Sequence, residues 1–195
     1  MANLIAIKKL RDLITILKMG LSSYYLKGDD EVVKIINTKD LENGKINLDS
    51  INSVSVKKTP LLERSRIEPG DLIVTTKGTS FKAAVADHSV ANYVISANLI
   101  AIKLSNEVQP EVVAAYLNST MGQRNLQSLS SGSSIQGLNS NSLLEIQVPI
   151  PPRHEQKWMV NYLTLAREHN GLLKRELELR DKLADSIITK IYGGR

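Results

Sequence analysis

Two stretches of small polar residues hold the side chains best suited to binding chemistry in this chain. The first runs Thr75-Thr76-Lys77-Gly78-Thr79-Ser80 and closes on Lys82. The second, Ser130 to Ser142, carries Ser133, Ser134, Gln136, Gly137 and Asn139. Hydroxyls and amides of this kind pair with base edges and with phosphate oxygens alike. Gly78, Gly132 and Gly137 permit a close backbone approach. Lys77, Lys82 and Arg124 supply positive charge that neutralises phosphates, each adding to the salt dependence of binding. Either stretch alone also reads as ordinary solvated loop.

Catalytic groupings are missing from the same inspection. None of His88, His154 and His169 has a metal-ligand neighbour three or four residues away. There is no Gly-x-Ser-x-Gly and no Gly-x-x-x-x-Gly-Lys-Ser/Thr. The adjacent prolines Pro151-Pro152 stand between Ile150 and Arg153. They lack the preceding Asn or Asp and the following aromatic that an amino-methyltransferase site needs. Carboxylates are scattered, which gives a nuclease metal site no support. Every common catalytic signature is thus missing, and no metal site is expected.

Composition narrows the partners. Apolar residues make up 42% of the 195, and aromatics only 4%, so Leu, Ile and Val must fill the core. The absence of cysteine excludes a disulfide framework and fits a cytoplasmic location. Met1-Ala2-Asn3-Leu4 lacks the layout of a signal peptide. The longest apolar run, Val94 to Leu104, contains Lys103 and is too short to span a bilayer, so no membrane partner is expected. The net charge of +5 permits an anionic partner and is dispersed: 16 Lys/Arg against 14 Asp/Glu in residues 1–150, and 9 against 6 in 151–195. Contact with an anion would therefore come from a shaped surface with clusters such as Lys57-Lys58 and Arg64-Arg66, which taken singly also read as solvated charge.

The elements that position these residues are mixed α+β. Residues 4–19 fit helical and strand spacing equally. Glu31 to Ile36 reads as a strand, Asn43-Gly44 as a tight turn, and Ile46 to Val56 as an extended segment with a slip in its middle. Pro69-Gly70-Asp71 feeds a buried strand, Leu72-Ile73-Val74. Strands are expected at Lys82 to Ala86, Tyr93 to Ser96 and Asn98 to Leu104. Pro110-Glu111 opens a helix through Leu117, Pro being favourable in a first turn. A second helix runs from Thr120 to about Leu129, and Ile146-Gln147-Val148 is a strand ending at the prolines.

From Arg153 onward the pattern is one long helix. Leu163, Ala166, Asn170, Leu173, Leu177, Arg180, Ala184, Ile187 and Ile191 recur at alternating steps of three and four, the spacing of a coiled-coil seam. Asn170 and Arg180 are polar seam positions of the kind that fix register. Leu165, Leu172, Leu179, Leu183 and Ile188 widen the apolar face beyond what one partner helix covers. Forty residues at about 1.5 Å each make roughly 60 Å, longer than a 150-residue domain is wide, although a helix folded back on its own domain is the competing reading. The organisation expected is a folded domain at 1–150 followed by a long helix at 151–195 that carries a coiled-coil seam.

Several blocks together resemble the specificity subunits of type I restriction-modification systems. They are Arg66-Ile67-Glu68-Pro69-Gly70-Asp71-Leu72-Ile73-Val74 with Lys77-Gly78, Tyr116-Leu117-Asn118-Ser119 with Gly122-Gln123, Gly132-Ser133-Ser134-Ile135-Gln136-Gly137-Leu138, and Val148-Pro149-Ile150-Pro151-Pro152 with Glu155-Gln156. They keep the family's order over roughly residues 20–195. The resemblance implies a target-recognition domain at 1–150 that reads one half-site of double-stranded DNA, followed by a spacer helix at 151–195 that packs as an antiparallel coiled coil on dimerisation. It implies a half-subunit, working as a homodimer or with a second half-subunit and docking a modification (methyltransferase) subunit, with the restriction subunit an indirect partner. The chain itself would then be non-catalytic and without a cofactor of its own, S-adenosylmethionine, ATP and magnesium belonging to those partners. An early DNA-facing segment is expected at Ser22-Ser23-Tyr24-Tyr25, making Tyr24 and Tyr25 candidates, although Asp29 and Asp30 lie close by and would repel phosphate if they faced it. The alternative is a coiled-coil assembly protein whose globular domain binds protein; a small enzyme with an unrecognised site is a third reading, which the missing motifs disfavour.

Overall fold

The computed structural model describes residues 5–77, 81–130 and 140–193, and divides into two compact units, Met1–Gln156 and Lys157–Arg195. The first unit opens with strands β1 (Ala6–Lys9) and β2 (Ile14–Met19), joined by a 3-10 turn at Leu10–Leu13. That turn resets the alternation of apolar residues, which is why the sequence there matches two periods at once. Next come β3 (Glu31–Ile36), β4 (Leu41–Glu42), β5 (Lys45–Ile46) and β6 (Asn52–Val56). Asn43 (φ 50°) and Gly44 (φ 77°) form the β4–β5 turn, the two positive φ values that such hairpins demand. The slip expected between Ile46 and Val56 is a 3-10 turn at Leu48–Ser50, where the Asn47 side chain accepts the Asp49 N–H.

Helix α1 (Pro60–Arg64) starts with Pro60 in its first turn, the Thr59 hydroxyl accepting the Leu62 N–H. Strands β7 (Leu72–Thr75), β8 (Ala83–Val85), β9 (Val94–Ile95) and β10 (Leu99–Leu104) follow. Helices α2 (Pro110–Asn118), α3 (Thr120–Ser130) and α4 (Ser140–Leu144) precede β11 (Gln147–Ile150) and α5 (Arg153–Tyr192). Strand β11 includes Pro149, opposite Ile7 of β1, so it runs two residues past the expected end at Val148.

The central sheet has the order β2-β10-β7-β8, all neighbours antiparallel. Every residue of β7 is buried, as are Leu99, Ile100, Ala101 and Ile102 of β10, the mark of strands covered on both faces. One core gathers Ile36, Leu41, Ile67, Ile73, Ile95 and Leu99. A second joins Leu21, Val33, Val56, Leu62 and Val94 beneath a smaller sheet of order β6-β3-β9. The PGD turn is held by its aspartate: buried Asp71 accepts the Glu68 N–H at 2.9 Å and pairs with Lys18 Nζ at 2.9 Å.

The first unit ends where Gln156 is pinned. This side chain, 2% exposed, accepts the Gln109 N–H at 2.9 Å and donates to the carbonyls of Glu107 (3.0 Å) and Pro151 (2.8 Å). Arg153 adds a bond to the Asn106 carbonyl at 2.6 Å. In the second unit, Leu163 and Ala166 are half-buried, while Asn170, Leu173, Leu177, Arg180, Ala184, Ile187 and Ile191 are exposed in the single chain. Arg180 pairs with Glu176 one turn earlier at 2.5 Å. Trp158 and Tyr162 stack at 5.6 Å and are exposed. Among the described residues no helix is long and apolar enough to cross a membrane.

Candidate nucleic-acid interface

The antiparallel register brings three connections to one end of the central sheet. Met19, the last residue of β2, stands beside Ile100, and Thr75, the last of β7, beside Leu99; Val74 lies opposite Ala83 of β8. The described residues that adjoin the strands at that end are Gly20-Leu21 after β2, Ala97-Asn98 before β10, Thr76-Lys77 after β7 and Phe81-Lys82 before β8. Four strands at about 4.8 Å spacing make a row about 14 Å wide, comparable with the roughly 12 Å major groove of B-DNA.

Main-chain bonds stitch these segments together. Gly20 N–H donates to Leu99 O, Leu21 N–H to Ile95 O, and Thr76 N–H to Asn98 O at 2.8 Å. Asn98 itself is exposed. Thr76 departs from the expectation of a surface contact: it is 6% exposed, because it continues the row of β7 under the Asn98 turn. Lys77 is exposed and Lys82 half-exposed. Gly78, Thr79, Ser80, Ser133, Ser134, Gln136, Gly137 and Asn139 lie outside the described residues.

At the β2 side, Ser22 caps a 3-10 turn at Ser23–Leu26. Tyr24 is 78% exposed and meets Tyr25 edge to face at 5.2 Å. Tyr25 is divided between roles: its ring packs against the second core, while its carbonyl accepts the Lys57 N–H at 3.1 Å. That bond brings the exposed Lys57-Lys58 pair to this segment. Asp30 is tied down structurally, accepting the Lys58 N–H at 2.9 Å. Arg66 is committed elsewhere, to Glu31, Glu63 and the Asn92 carbonyl. Burial opposes its charge, and the bonds to Glu63 and Glu31 outweigh that, so the guanidinium titrates above its ordinary value.

At the β8 side the α2–α3 turn supports the stretch. Ser119 Oγ accepts the Gly122 N–H at 3.1 Å, capping α3, as a serine at that position does well. A Cβ on Gly122 would fall 2.0 Å from the Tyr116 carbonyl oxygen, so the turn closes only around glycine. Asn118 and Gln123 reach from this turn to the main chain at Ala83 and Phe81. Arg124, exposed on α3, is next to Gln123. A cleft of about 410 Å³ lies beside Lys82, lined by Glu42, Asn43, Gly44, Ala83 and Asn118. Asn98, Asn118 and Gln123 were not singled out as site residues from the sequence. Asn98 follows only a two-residue break between apolar runs, and the two amides contact backbone 35 and 42 residues distant, a relation no local pattern records. A larger cleft, about 690 Å³, lies along the free edge of β2 between Ile16 and Arg64. Among the described residues no group of acidic, His or Cys side chains is arranged to hold a metal ion.

The family described as "Type I restriction modification DNA specificity domain" matches residues 5–179. The chain is 26% identical over 152 residues to the type I restriction enzyme StySPI specificity subunit of Salmonella potsdam, covering 76% of this chain and 32% of that protein. It is 27% identical over 173 residues to the EcoKI specificity subunit of Escherichia coli K12, covering 87% and 36%. Its fold is similar to the HsdS subunit from Thermoanaerobacter tengcongensis (TM-score 0.66, 18% identity, 87% of this chain and 44% of that one). It is also similar to the type I S subunit from M. genitalium (TM-score 0.63, 20% identity, 98% and 46%). The chain thus spans about a third of the length of the two curated relatives and under half of those solved chains. With the match extending from β1 into α5, the chain belongs to the type I restriction-modification DNA specificity domain family.

Proposed function

We propose that this chain reads one half-site of double-stranded DNA for a type I restriction-modification system. The observation that carries the reading is that the ends of β2 and β7 and the starts of β8 and β10 lie at one end of the central sheet, which brings Gly20, Lys77, Lys82 and Asn98 to that end. Lys77, Lys82, Arg124 and the Lys57-Lys58 pair would meet phosphates, and Asn98 together with the small polar residues of the two loops would face bases. Residues 1–150 form the reading domain in this proposal and 151–195 the spacer.

The spacer would pair with a second copy, or with a second half-subunit, through Leu163, Ala166, Asn170, Leu173, Leu177, Arg180, Ala184, Ile187 and Ile191. Two such chains related by a two-fold axis would read inverted half-sites, with the helix setting the gap. The apolar face is wider than one partner helix covers, which supports a shared dock for a modification subunit; a restriction subunit would join through that assembly. The chain itself would be non-catalytic, with S-adenosylmethionine, ATP and magnesium supplied by those partners.

The test is methylome mapping in cells that express the chain with its modification subunit, joined to a salt-dependent gel shift on the mapped site. A bipartite inverted repeat is expected for a homodimer, and an asymmetric site for two different halves. If no methylated sequence emerges and no duplex shifts, the DNA reading is wrong and a protein-binding role for the globular unit takes its place.

A further inference from the structure

Strand β8 is the outer edge of the central sheet, and an edge strand leaves alternate backbone N–H and C=O groups without a neighbour. Thr75 N–H bonds Lys82 O at 3.0 Å, so in the alternating antiparallel pattern the next residue, Ala83, points both its groups outward. Asn118 receives them. Its Oδ1 accepts the Ala83 N–H at 2.9 Å and its Nδ2 donates to Ala83 O at 2.8 Å, so one side-chain amide stands where a further strand would pair. Gln123 Nε2 donates to Phe81 O at 2.9 Å and to Leu117 O at 2.6 Å. Lys82 N–H goes to Thr75 Oγ1 at 2.9 Å.

Three consecutive residues thus have their main chain fixed by groups on β7 and on the α2–α3 turn. Phe81 and Ala83 also bury their side chains, at 7% and 2% exposure. Between them only Lys82 keeps a side chain that reaches solvent. A cation on a backbone ordered in advance loses less freedom when it meets an anion than one on a loose loop.

We infer that Asn118 and Gln123 are positioning residues for Lys82, holding the backbone beneath a cation that contacts a DNA phosphate. The inference rests on the DNA-reading proposal and adds the two amides to it.

The experiment uses the full chain and a mixed-sequence double-stranded DNA oligonucleotide, with affinity measured across a salt series. Lys82→Ala removes the cation and is expected to weaken binding several-fold and lower the log–log salt slope by about one. Asn118→Leu and Gln123→Met keep the size and neutrality of each side chain while removing the amide. Each is expected to weaken binding in the same direction and reduce the slope, and to have no further effect once Lys82 is alanine. Amide hydrogen exchange at Ala83 should quicken in Asn118→Leu, reporting release of the clamp even where the melting temperature also falls. Losses that add in the double variants, or that leave the salt slope untouched, would overturn the positioning role. An Asn118→Leu chain that binds like wild type while Lys82→Ala is weak would overturn it too, with the DNA reading intact. No effect of Lys82→Ala would remove Lys82 from the interface and the inference with it.

Discussion

Gln156 accepts a hydrogen bond from the backbone N–H of Gln109 at 2.9 Å, across 47 residues of sequence. The other end of the same amide donates to Glu107 O and Pro151 O. The first turn of α5 is therefore part of the folded unit that precedes it, which is why that unit closes at Gln156. Replacing this side chain leaves one donor and two acceptors buried without it. Gln156→Leu is expected to lower unfolding free energy by about 2–4 kcal/mol, read by urea denaturation. Gln156→Glu sets a carboxylate against two carbonyls and should be worse at neutral pH than near pH 4, where the acid can donate. A loss under half a kcal/mol in both variants would show that the clamp contributes little.

The buried Lys18–Asp71 pair makes a second prediction. Asp71 is fully buried and the Lys18 side chain is 14% exposed, so removing Lys18 strands a buried carboxylate, and removing Asp71 leaves Lys18 with only the longer contact to Glu68 at 3.9 Å. Lys18→Met and Asp71→Ala are each expected to cost about 3–5 kcal/mol. The combination Lys18→Met with Asp71→Leu should recover part of that sum. Thermal unfolding of the three variants decides the matter, and a neutral Lys18→Met would show that Asp71 is sustained by the Glu68 N–H alone.

Glu68 links stability to pH. Its carboxyl is held below its ordinary value of 4.5, first by the hydrogen bond from Lys103 and then by the charges of Lys18 and Lys103. A carboxyl depressed in the folded state contributes stability above its unfolded pKa and loses it as pH falls through the folded value. Lys103 is raised above 10.5, chiefly by the same hydrogen bond, so its contribution is present at lower pH and fades as pH rises through the folded value. Both side chains are well exposed, which keeps the effect small. Melting temperatures of wild type and Glu68→Gln should differ at neutral pH and converge on acidification. Parallel curves across that range would rule this linkage out.

Assembly through α5 is open to a clean truncation. A chain ending at Tyr162 keeps Gln156 within about three helical turns and removes every proposed seam position from Leu163 onward. Light scattering is expected to report a dimer for the full chain and a monomer for the truncated one. A dimer that survives truncation would place the interface in the first unit.

What was legible in the sequence follows the range of the interaction. Glu31–Ile36, the Asn43-Gly44 turn, the Pro110 helix and the forty-residue α5 rest on local signals, and the structure has them where their residues point. Residues 4–19 were ambiguous because β1 is fixed by β11, 140 positions away, and not by its own pattern. The candidate site divides the same way. Lys77, Lys82 and Arg124 announce themselves by charge, whereas the backbone grip of Asn118 and Gln123 exists only after α2 has packed on β8. Gly122 stands out in the sequence only through the block it shares with Tyr116–Ser119, and the reason is spatial: the carbonyl of Tyr116 leaves room for nothing larger.

The bonds that hold Phe81, Lys82 and Ala83 all end on main-chain atoms. Phe81 and Ala83 are also held by burial of their side chains, so the backbone grip leaves one position, Lys82, whose side chain the support does not dictate. New preferences can therefore arise by substitution at that position while the scaffold stays unaltered, so a change of recognition there need not be accompanied by a compensating change in the fold.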